Sequence, residues 1–240
     1  MAEWMAQAAR HWRARCDKKA EQTVLVLGDS HVRVFEHWWF MWALPRVRWC
    51  INYVPGATAS GLYNPKSITQ TYARLMQSLE DAKDGWVILN LGEVDTGYGI
   101  CVRAERHGQD PWPLVDQAAQ NYERFIAEIA AKRPLIVLSA PLPTLPDTFV
   151  AGDDVLSRRK AVAYSQLERT ELTLAFNERI AQACTTLNIH YLNDEVASRG
   201  PNGLVKIEWL KRESPDHHYD RKTYAKWLTR QLKPLLMKRH

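Results

Sequence analysis

Four apolar residues followed by glycine, aspartate and serine constrain the fold of this chain more than any other stretch. The run from Val24 to Leu27 predicts a short buried strand, Gly28 and Asp29 end it, and a helical pattern begins at Ser30. A serine at a strand-to-helix turn lies at the carboxyl edge of a sheet, where open α/β sheets place their ligands. Ser30 is therefore a candidate nucleophile, with helix capping as its structural alternative.

The rest of the chain alternates apolar strands with amphipathic helices. Apolar runs predict four further strands, at 47–54, 86–91, 135–138 and 189–192. Helical spacing predicts helices at 67–82, 114–131, about 156–187 and about 220–237. The segment 96–113 is rich in glycine, histidine and charge, and we expect a long irregular insertion there. Helices between successive strands imply parallel pairing and one three-layer α/β/α domain over 21–240.

Positive charge is concentrated at the two ends of the chain. Residues 1–20 hold five basic and two acidic groups, and residues 221–240 hold seven basic and no acidic groups. The 200 residues between them hold 20 basic and 25 acidic groups. Residues 1–20 predict a basic amphipathic helix, and solvated basic faces are favoured over a nucleic-acid surface. No nucleic-acid partner is expected.

Membrane, metal and cofactor signals are missing from the sequence. There is no apolar run of transmembrane length and no signal-peptide core near the first residue, so a cytoplasmic location is expected. The four cysteines (Cys16, Cys50, Cys101 and Cys184) are widely spaced, which favours free thiols in a reducing compartment. No metalloprotease, phosphate-loop or dinucleotide motif occurs, so neither a metal nor a nucleotide cofactor is expected.

A base for the serine occurs near the other end of the chain. A serine hydroxyl is a weak nucleophile until a base accepts its proton, and the base needs an acidic group to orient it. Both residue types occur in Asp216-His217-His218, directly before the last predicted helix. His218 is the preferred base with Asp216 as its orienting acid, and His217 is the alternative base. His31, directly after the serine, is expected to be a helix-surface histidine, and the alternative is that it reaches the substrate.

These blocks resemble the SGNH hydrolase superfamily, also called the GDSL esterases and lipases. Gly28-Asp29-Ser30 matches the first block, and His218 matches the histidine of the last block. Val54-Pro55-Gly56-Ala57-Thr58 resembles the second block, in which the Gly56 N–H would bind the oxyanion together with the Ser30 N–H. The resemblance covers residues 23 to about 235. It implies a flavodoxin-like sheet of five parallel strands ordered 2-1-3-4-5.

The third block departs from the family pattern. The family usually has Gly-x-Asn-Asp, in which the asparagine donates to the oxyanion, and here Val94 occupies the asparagine position. Losing one such donor typically costs about 100- to 1000-fold in turnover. Glu93, Asp95 and Arg103 are candidates for binding substrate. The structural alternative is that the two acids contact Arg103 or Arg106.

The last block departs as well. The family's aspartate usually lies three residues before the histidine, and Pro215 occupies that position in this chain. Asp216 lies two residues before His218, so a one-residue bulge would be needed for the carboxylate to accept from the ring.

Together these features predict a serine-dependent O-acyl ester hydrolase that forms an acyl-Ser30 intermediate. Resemblance to the carbohydrate esterases of the family points to an acetylated carbohydrate as the substrate. The same residues would support an O-acetyltransferase in surface-polysaccharide modification if a sugar hydroxyl outcompeted water. The missing asparagine leaves a non-catalytic carbohydrate-binding protein as an alternative. The aromatic residues Trp38, Trp39, Phe40 and Trp42 are expected to lie mostly in the core, with one ring available to floor a sugar site.

Overall fold

Five parallel strands form the centre of the protein in a computed structural model, which describes residues 20–82, 84–148, 163–212 and 216–237. The strands are β1 Gln22–Gly28, β2 Val47–Tyr53, β3 Trp86–Asn90, β4 Leu135–Leu138 and β5 His190–Leu192. Their order is β2-β1-β3-β4-β5, and every neighbouring pair is parallel. The predicted order 2-1-3-4-5 is confirmed.

Helices cover both faces of this sheet. The α-helices are α1 Trp38–Ala43, α2 Thr71–Asp81, α3 Ile100–His107, α4 Trp112–Ala130, α5 Gln166–Thr186, α6 Glu195–Ser198 and α7 Arg221–Leu236. Within the described ranges, two 3₁₀ helices occupy Ser30–Glu36 and Ile207–Trp209, and a π-helical turn occupies Asp95–Gly99. The result is the three-layer α/β/α sandwich expected from the alternation of strands and helices.

Side chains of β1 alternate between two buried clusters. Leu25 and Leu27 pack on the face that α4 and α5 cover, and Val24 and Val26 pack on the face that α7 covers. Successive residues of a strand point to opposite faces, so a strand covered on both sides has to be apolar throughout. This is why the first strand of the sequence reads as an unbroken apolar run.

Gly28 ends β1 between the last residues of its two neighbours. In the register of the sheet it lies beside Tyr53 of β2 and Asn90 of β3. A Cβ at position 28 would lie 2.1 Å from the carbonyl oxygen of Asn90, so only glycine fits this close approach. Because β1 lies inside the sheet, the residues after Gly28 emerge in the interior of its carboxyl edge.

The expectation of an irregular insertion at 96–113 was wrong. The π-helical turn runs directly into α3, and Pro111 precedes the long helix α4. Ile100, Cys101 and Ala104 are buried on one side of α3, and most of the charged residues of the segment lie on the exposed side. The high charge content therefore marks an amphipathic helix and not a loop.

The aromatic cluster of α1 also differs from expectation. Phe40 is fully buried, but Trp38 is 53% exposed and Trp42 is 68% exposed. A helix of six residues has fewer than two turns, so only a few of its side chains can face the core. The indole rings pack on one another along the surface, with the Trp39 ring centroid 4.8 Å from that of Trp42.

Two expectations fall wholly or partly outside the described residues. Residues 1–19, which contain almost all of the basic helix predicted at 1–20, lie outside the described residues. The predicted helix 156–187 is described from residue 163 and contains α5. Among the described residues, Cys50, Cys101 and Cys184 are free thiols. Within the same ranges no helix combines the length and apolar character that a membrane crossing requires.

Candidate active site

Ser30 opens the first 3₁₀ helix at the carboxyl edge of the sheet. The residue that caps this helix is Asp29, whose carboxylate accepts the backbone N–H of His31 at 2.8 Å. The capping alternative for Ser30 is therefore wrong, because the serine is already the first helical residue. Its half-buried hydroxyl is left to interact with the segment that precedes α7.

That segment brings a histidine and an aspartate to the serine. Nε2 of His218 lies 2.9 Å from Oγ of Ser30, and Nδ1 of His218 lies 2.7 Å from Oδ1 of Asp216. The three side chains form one continuous chain of hydrogen bonds, in which each distance is short enough for proton transfer or orientation.

Local backbone geometry compensates for the unusual spacing of aspartate and histidine. Oδ1 of Asp216 also accepts the backbone N–H of His218 at 2.9 Å, so the carboxylate turns back over two residues and meets the ring. Such a turn is common for aspartate, whose short side chain reaches the backbone two residues later. His217 instead places its carbonyl oxygen against the His31 ring.

The second carboxylate oxygen of Asp216 binds the ammonium group of Lys211. Burial opposes ionisation of Asp216, but the hydrogen bonds from His218 and Lys211 outweigh it and hold the pKa of this carboxyl well below its usual range. Burial and the neighbouring His31 lower the pKa of His218, against the attraction of Asp216. At neutral pH the pair is thus a carboxylate and an uncharged imidazole.

His31 does not lie on a helix surface as the sequence suggested. The residue is only 4% exposed, its Nδ1 lies 2.9 Å from Oδ1 of Asp29, and its Nε2 lies 3.0 Å from the His217 carbonyl oxygen. Oε2 of Glu93 lies 3.7 Å from the same Nε2. The sequence feature that could have indicated the contact of His31 with Asp29 is the Asp-x-His pattern, which occurs at Asp29 and again at Asp216.

The acidic residues of the third block are enclosed by the fold. Oδ1 and Oδ2 of Asp95 accept the backbone N–H groups of Ser60 and Ala59, at 3.0 and 2.6 Å. Burial raises the pKa of Asp95, against these bonds and the charge of Arg103. Glu93 is 1% exposed and faces His31. Both acids therefore have internal partners, which are backbone N–H groups for Asp95 and His31 for Glu93, whereas the structural alternative named contacts with Arg103 or Arg106.

The Gly56 turn follows β2 at the same edge of the sheet as Ser30. The backbone N–H of Val54 donates to the carbonyl of Gly28 at 2.9 Å and so continues the pairing of β1 and β2 up to this edge. Gly56 has φ +69°, a left-handed conformation that favours glycine, and its Cβ position is open space.

Solved structures share this architecture over nearly the whole chain. A GDSL-like lipase from Bacteroides thetaiotaomicron is 16% identical, with a TM-score of 0.59 and coverage of 98% of each chain. A carbohydrate acetylesterase from Sinorhizobium meliloti is 10% identical, with a TM-score of 0.61 and coverage of 90% of this chain and 100% of that one. An acetyl xylan esterase is 12% identical, with a TM-score of 0.55 and coverage of 89% and 99%.

The chain has the fold of the SGNH hydrolases. No protein-family model and no curated protein matches the sequence. The similarity to solved structures therefore lies in the arrangement of strands and helices.

A cavity of about 180 Å³ opens beside the serine of this SGNH fold, between the first 3₁₀ helix and α7. Ser30 and His218 both line the cavity. Three basic side chains, those of Arg33, Lys211 and Arg221, complete much of the remaining lining. The space is large enough for several non-hydrogen atoms of a bound molecule.

Three side chains at the same place have atoms that can ligate a metal ion. Among the described residues, Asp216, His217 and His218 offer ligand atoms within 4.8 Å of one another. Both ring nitrogens of His218 and both carboxylate oxygens of Asp216 are already engaged in hydrogen bonds. The arrangement therefore suits proton transfer between side chains better than coordination of an ion.

Proposed function

We propose that this chain is a serine-dependent O-acyl ester hydrolase. The observation that carries the proposal is the unbroken hydrogen-bond chain from Ser30 through His218 to Asp216. As Oγ of Ser30 attacks the ester carbonyl carbon, Nε2 of His218 accepts the hydroxyl proton, and Asp216 holds the resulting imidazolium in place. The proton then passes to the leaving alcohol, and an acyl-Ser30 intermediate remains.

Water completes the reaction. His218 accepts a proton from a water molecule while the water oxygen attacks the acyl carbon. His218 then returns the proton to Oγ of Ser30 as the carboxylic acid leaves. If a sugar hydroxyl replaced the water, the same steps would give O-acetyl transfer. Hydrolysis is the simpler proposal because it needs no second organic substrate in the cavity.

The oxyanion of each tetrahedral intermediate needs hydrogen-bond donors. We assign this role to the backbone N–H groups of Ser30 and Gly56, which follow adjacent strands at the same edge. Val94 has no polar atom in its side chain and adds no donor. Turnover about 100- to 1000-fold below that of an enzyme with a complete donor set is therefore expected.

An acetylated carbohydrate is the proposed substrate. The similarity to an acetyl xylan esterase and to a carbohydrate acetylesterase supports an acetyl group on a sugar. The cavity of about 180 Å³ suits a small acyl or alcohol part and not a long acyl chain. A non-catalytic carbohydrate-binding protein remains the competing proposal, and labelling of the serine separates the two.

Serine labelling tests the proposed chemistry directly. A fluorophosphonate reacts rapidly only with an activated serine, so we expect stoichiometric labelling of the native protein at Ser30, mapped by peptide mass spectrometry. In parallel, p-nitrophenyl acetate should be hydrolysed faster than the butyrate and octanoate esters. If the native protein neither takes up the label nor hydrolyses p-nitrophenyl acetate, the carbohydrate-binding alternative is supported.

The basic lining of the cavity predicts a charge preference. We expect 4-acetoxybenzoate to have a higher kcat/KM than its uncharged analogue 4-acetoxybenzamide, and Arg221→Gln to reduce that ratio about fivefold, the effect of one partly exposed ion pair. Arg221 also binds Glu36 at 3.1 Å, so the ratio of the two substrates is the informative readout, not the rate. Arg230→Gln, an exposed change elsewhere on α7, is the matched control. A ratio near one in the native protein would contradict the preference, and an equal ratio in all three proteins would contradict the role of Arg221.

A further inference from the structure

Two Asp-x-His units face each other across the site. In each unit, one aspartate oxygen accepts both the backbone N–H and the Nδ1 proton of the histidine two residues later. The distances are 2.8 and 2.9 Å for Asp29 and His31, and 2.9 and 2.7 Å for Asp216 and His218. The centroids of the two imidazole rings are 4.5 Å apart. The units differ in what each Nε2 meets.

The contacts of His31 determine its protonation state. Nε2 lies 3.0 Å from the His217 carbonyl oxygen, which can only accept a hydrogen bond, so this nitrogen carries a proton. Oδ1 of Asp29 already accepts a backbone N–H, so Nδ1 donates to it as well. An imidazole that donates from both nitrogens is a cation. The hydroxyl that faces Nε2 of His218 can donate, so His218 needs no second proton.

Two enclosed carboxylates compensate the charge of His31. Asp29 is fully buried and Glu93 is 1% exposed, and Glu93 approaches Nε2 of His31 to 3.7 Å. A buried cation is tolerated when opposite charges and hydrogen bonds replace the lost water. Burial alone would lower the pKa of His31, but these two carboxylates raise it to about 9. His31 is thus charged at neutral pH.

The charged groups around His218 come from several elements. Asp216 and His217 lie on the same segment as His218, and Lys211 lies earlier in that loop. His31 lies on the first 3₁₀ helix, and Glu93 follows β3. Among these groups, the positive charge of His31 lowers the pKa of His218, and the two ring centroids are 4.5 Å apart. Like charges at this separation disfavour each other.

We infer that His31 is a positioning residue, an imidazolium charged at neutral pH that anchors the His217 carbonyl and keeps His218 unprotonated and ready to act as base. The first function follows from the bond to the His217 carbonyl, which holds the turn that carries His218. The second follows from the two rings lying side by side. As a result, His218 remains a base at a lower pH than an isolated histidine would.

Two unusual features of the sequence meet in the contact between His31 and Glu93. Glu93 belongs to the divergent third block, and His31 directly follows the serine of the first block. The structure places them against each other in the interior. The third block of this chain thus supplies a counter-charge to His31, in the segment where a related enzyme would supply an oxyanion donor.

Histidine-ring NMR tests the charge without using activity. In the native protein at pH 7.5, we expect one ring with both nitrogens protonated, titrating near pH 9, and its signals should disappear in His31→Gln. Glu93→Gln should lower that titration midpoint by about one pH unit, and it gives the assignment if the first variant fails to fold. A His31 ring with one unprotonated nitrogen at pH 7.5 would overturn the inference.

The pH profile of kcat/KM tests the effect on the base, and this part rests on the proposed hydrolase function. Removing the cation raises the pKa of His218, so the acidic limb of His31→Gln should move upward by about one pH unit. His107→Gln, an exposed change at the end of α3, should leave the limb in place. A lower rate with an unmoved limb would show that His31 is only structural. Absence of activity in the native protein would instead contradict the hydrolase proposal and leave the NMR result valid.

Discussion

Ser30→Ala should lower kcat/KM for p-nitrophenyl acetate by about 10⁴-fold or more while the protein stays folded. Removal of an activated nucleophile from a serine, histidine and aspartate unit leaves only the residual catalysis of binding and oxyanion contacts. The folded state loses one hydrogen bond of a half-buried hydroxyl, which costs about 1 kcal/mol. The helix keeps its cap because Asp29 supplies it.

The loss has to be separated from unfolding. For a chain of this size we expect a fall in the melting temperature of about 2–4 °C for 1 kcal/mol, measured by thermal denaturation. Ser67→Ala, at a half-buried serine in the loop before α2, is the matched control and should keep full activity. Turnover of Ser30→Ala equal to that of the native protein would remove the serine from the mechanism.

His218→Ala should lower kcat/KM by about 10⁴-fold, and His217→Ala by less than about tenfold. The His218 ring contacts the serine and the aspartate, and alanine removes both contacts. His217 contacts His31 through its backbone carbonyl, which alanine retains. Steady-state kinetics of the two adjacent variants compare the two candidate bases directly. A larger loss in His217→Ala would show that the register of the last block is wrong by one residue.

The same base predicts the pH dependence of the native protein. Burial and His31 lower the pKa of His218, so the fraction of unprotonated base falls only when the pH drops below the ordinary value of about 6.5. Activity on an ester stable to spontaneous hydrolysis should therefore be constant from pH 8 down to about pH 6.5 and decline at more acidic pH. A midpoint above pH 7 would contradict the neutral state assigned to His218.

Much of the fold could be predicted from local sequence patterns. The apolar run of β1 and the two-residue turn at Gly28 follow from side-chain periodicity and from close backbone packing, which each depend on few neighbours. Patterns of charge were less reliable. Charged residues on an amphipathic helix and charged residues in a loop look alike when the apolar side is short, as in α3. For a similar reason the expectation that the aromatic residues of α1 lie mostly in the core was wrong for Trp38 and Trp42.

The candidate triad depended on both levels. The sequence by itself determined that a serine follows the first strand and that Asp216 and His218 precede the last helix, because parallel strands with intervening helices return every such segment to one edge. Tertiary structure decided which atoms meet there. It placed Nε2 of His218 against the serine and turned the carbonyl of His217 toward His31.

The burial of His31 was decided only by tertiary structure. In the sequence, His31 is one polar residue in a helical pattern and Glu93 is one acid after a strand, and neither has a periodicity that indicates a partner. Their pairing depends on β1 and β3 lying side by side, which brings the residues after Gly28 and after Asn90 to the same point of the sheet edge. A buried charge is tolerated where opposite charges compensate it, and here Asp29 supplies one locally and Glu93 supplies the other from a distant segment. Local sequence therefore determined the strands, and the packing of the strands determined the charge beside the base.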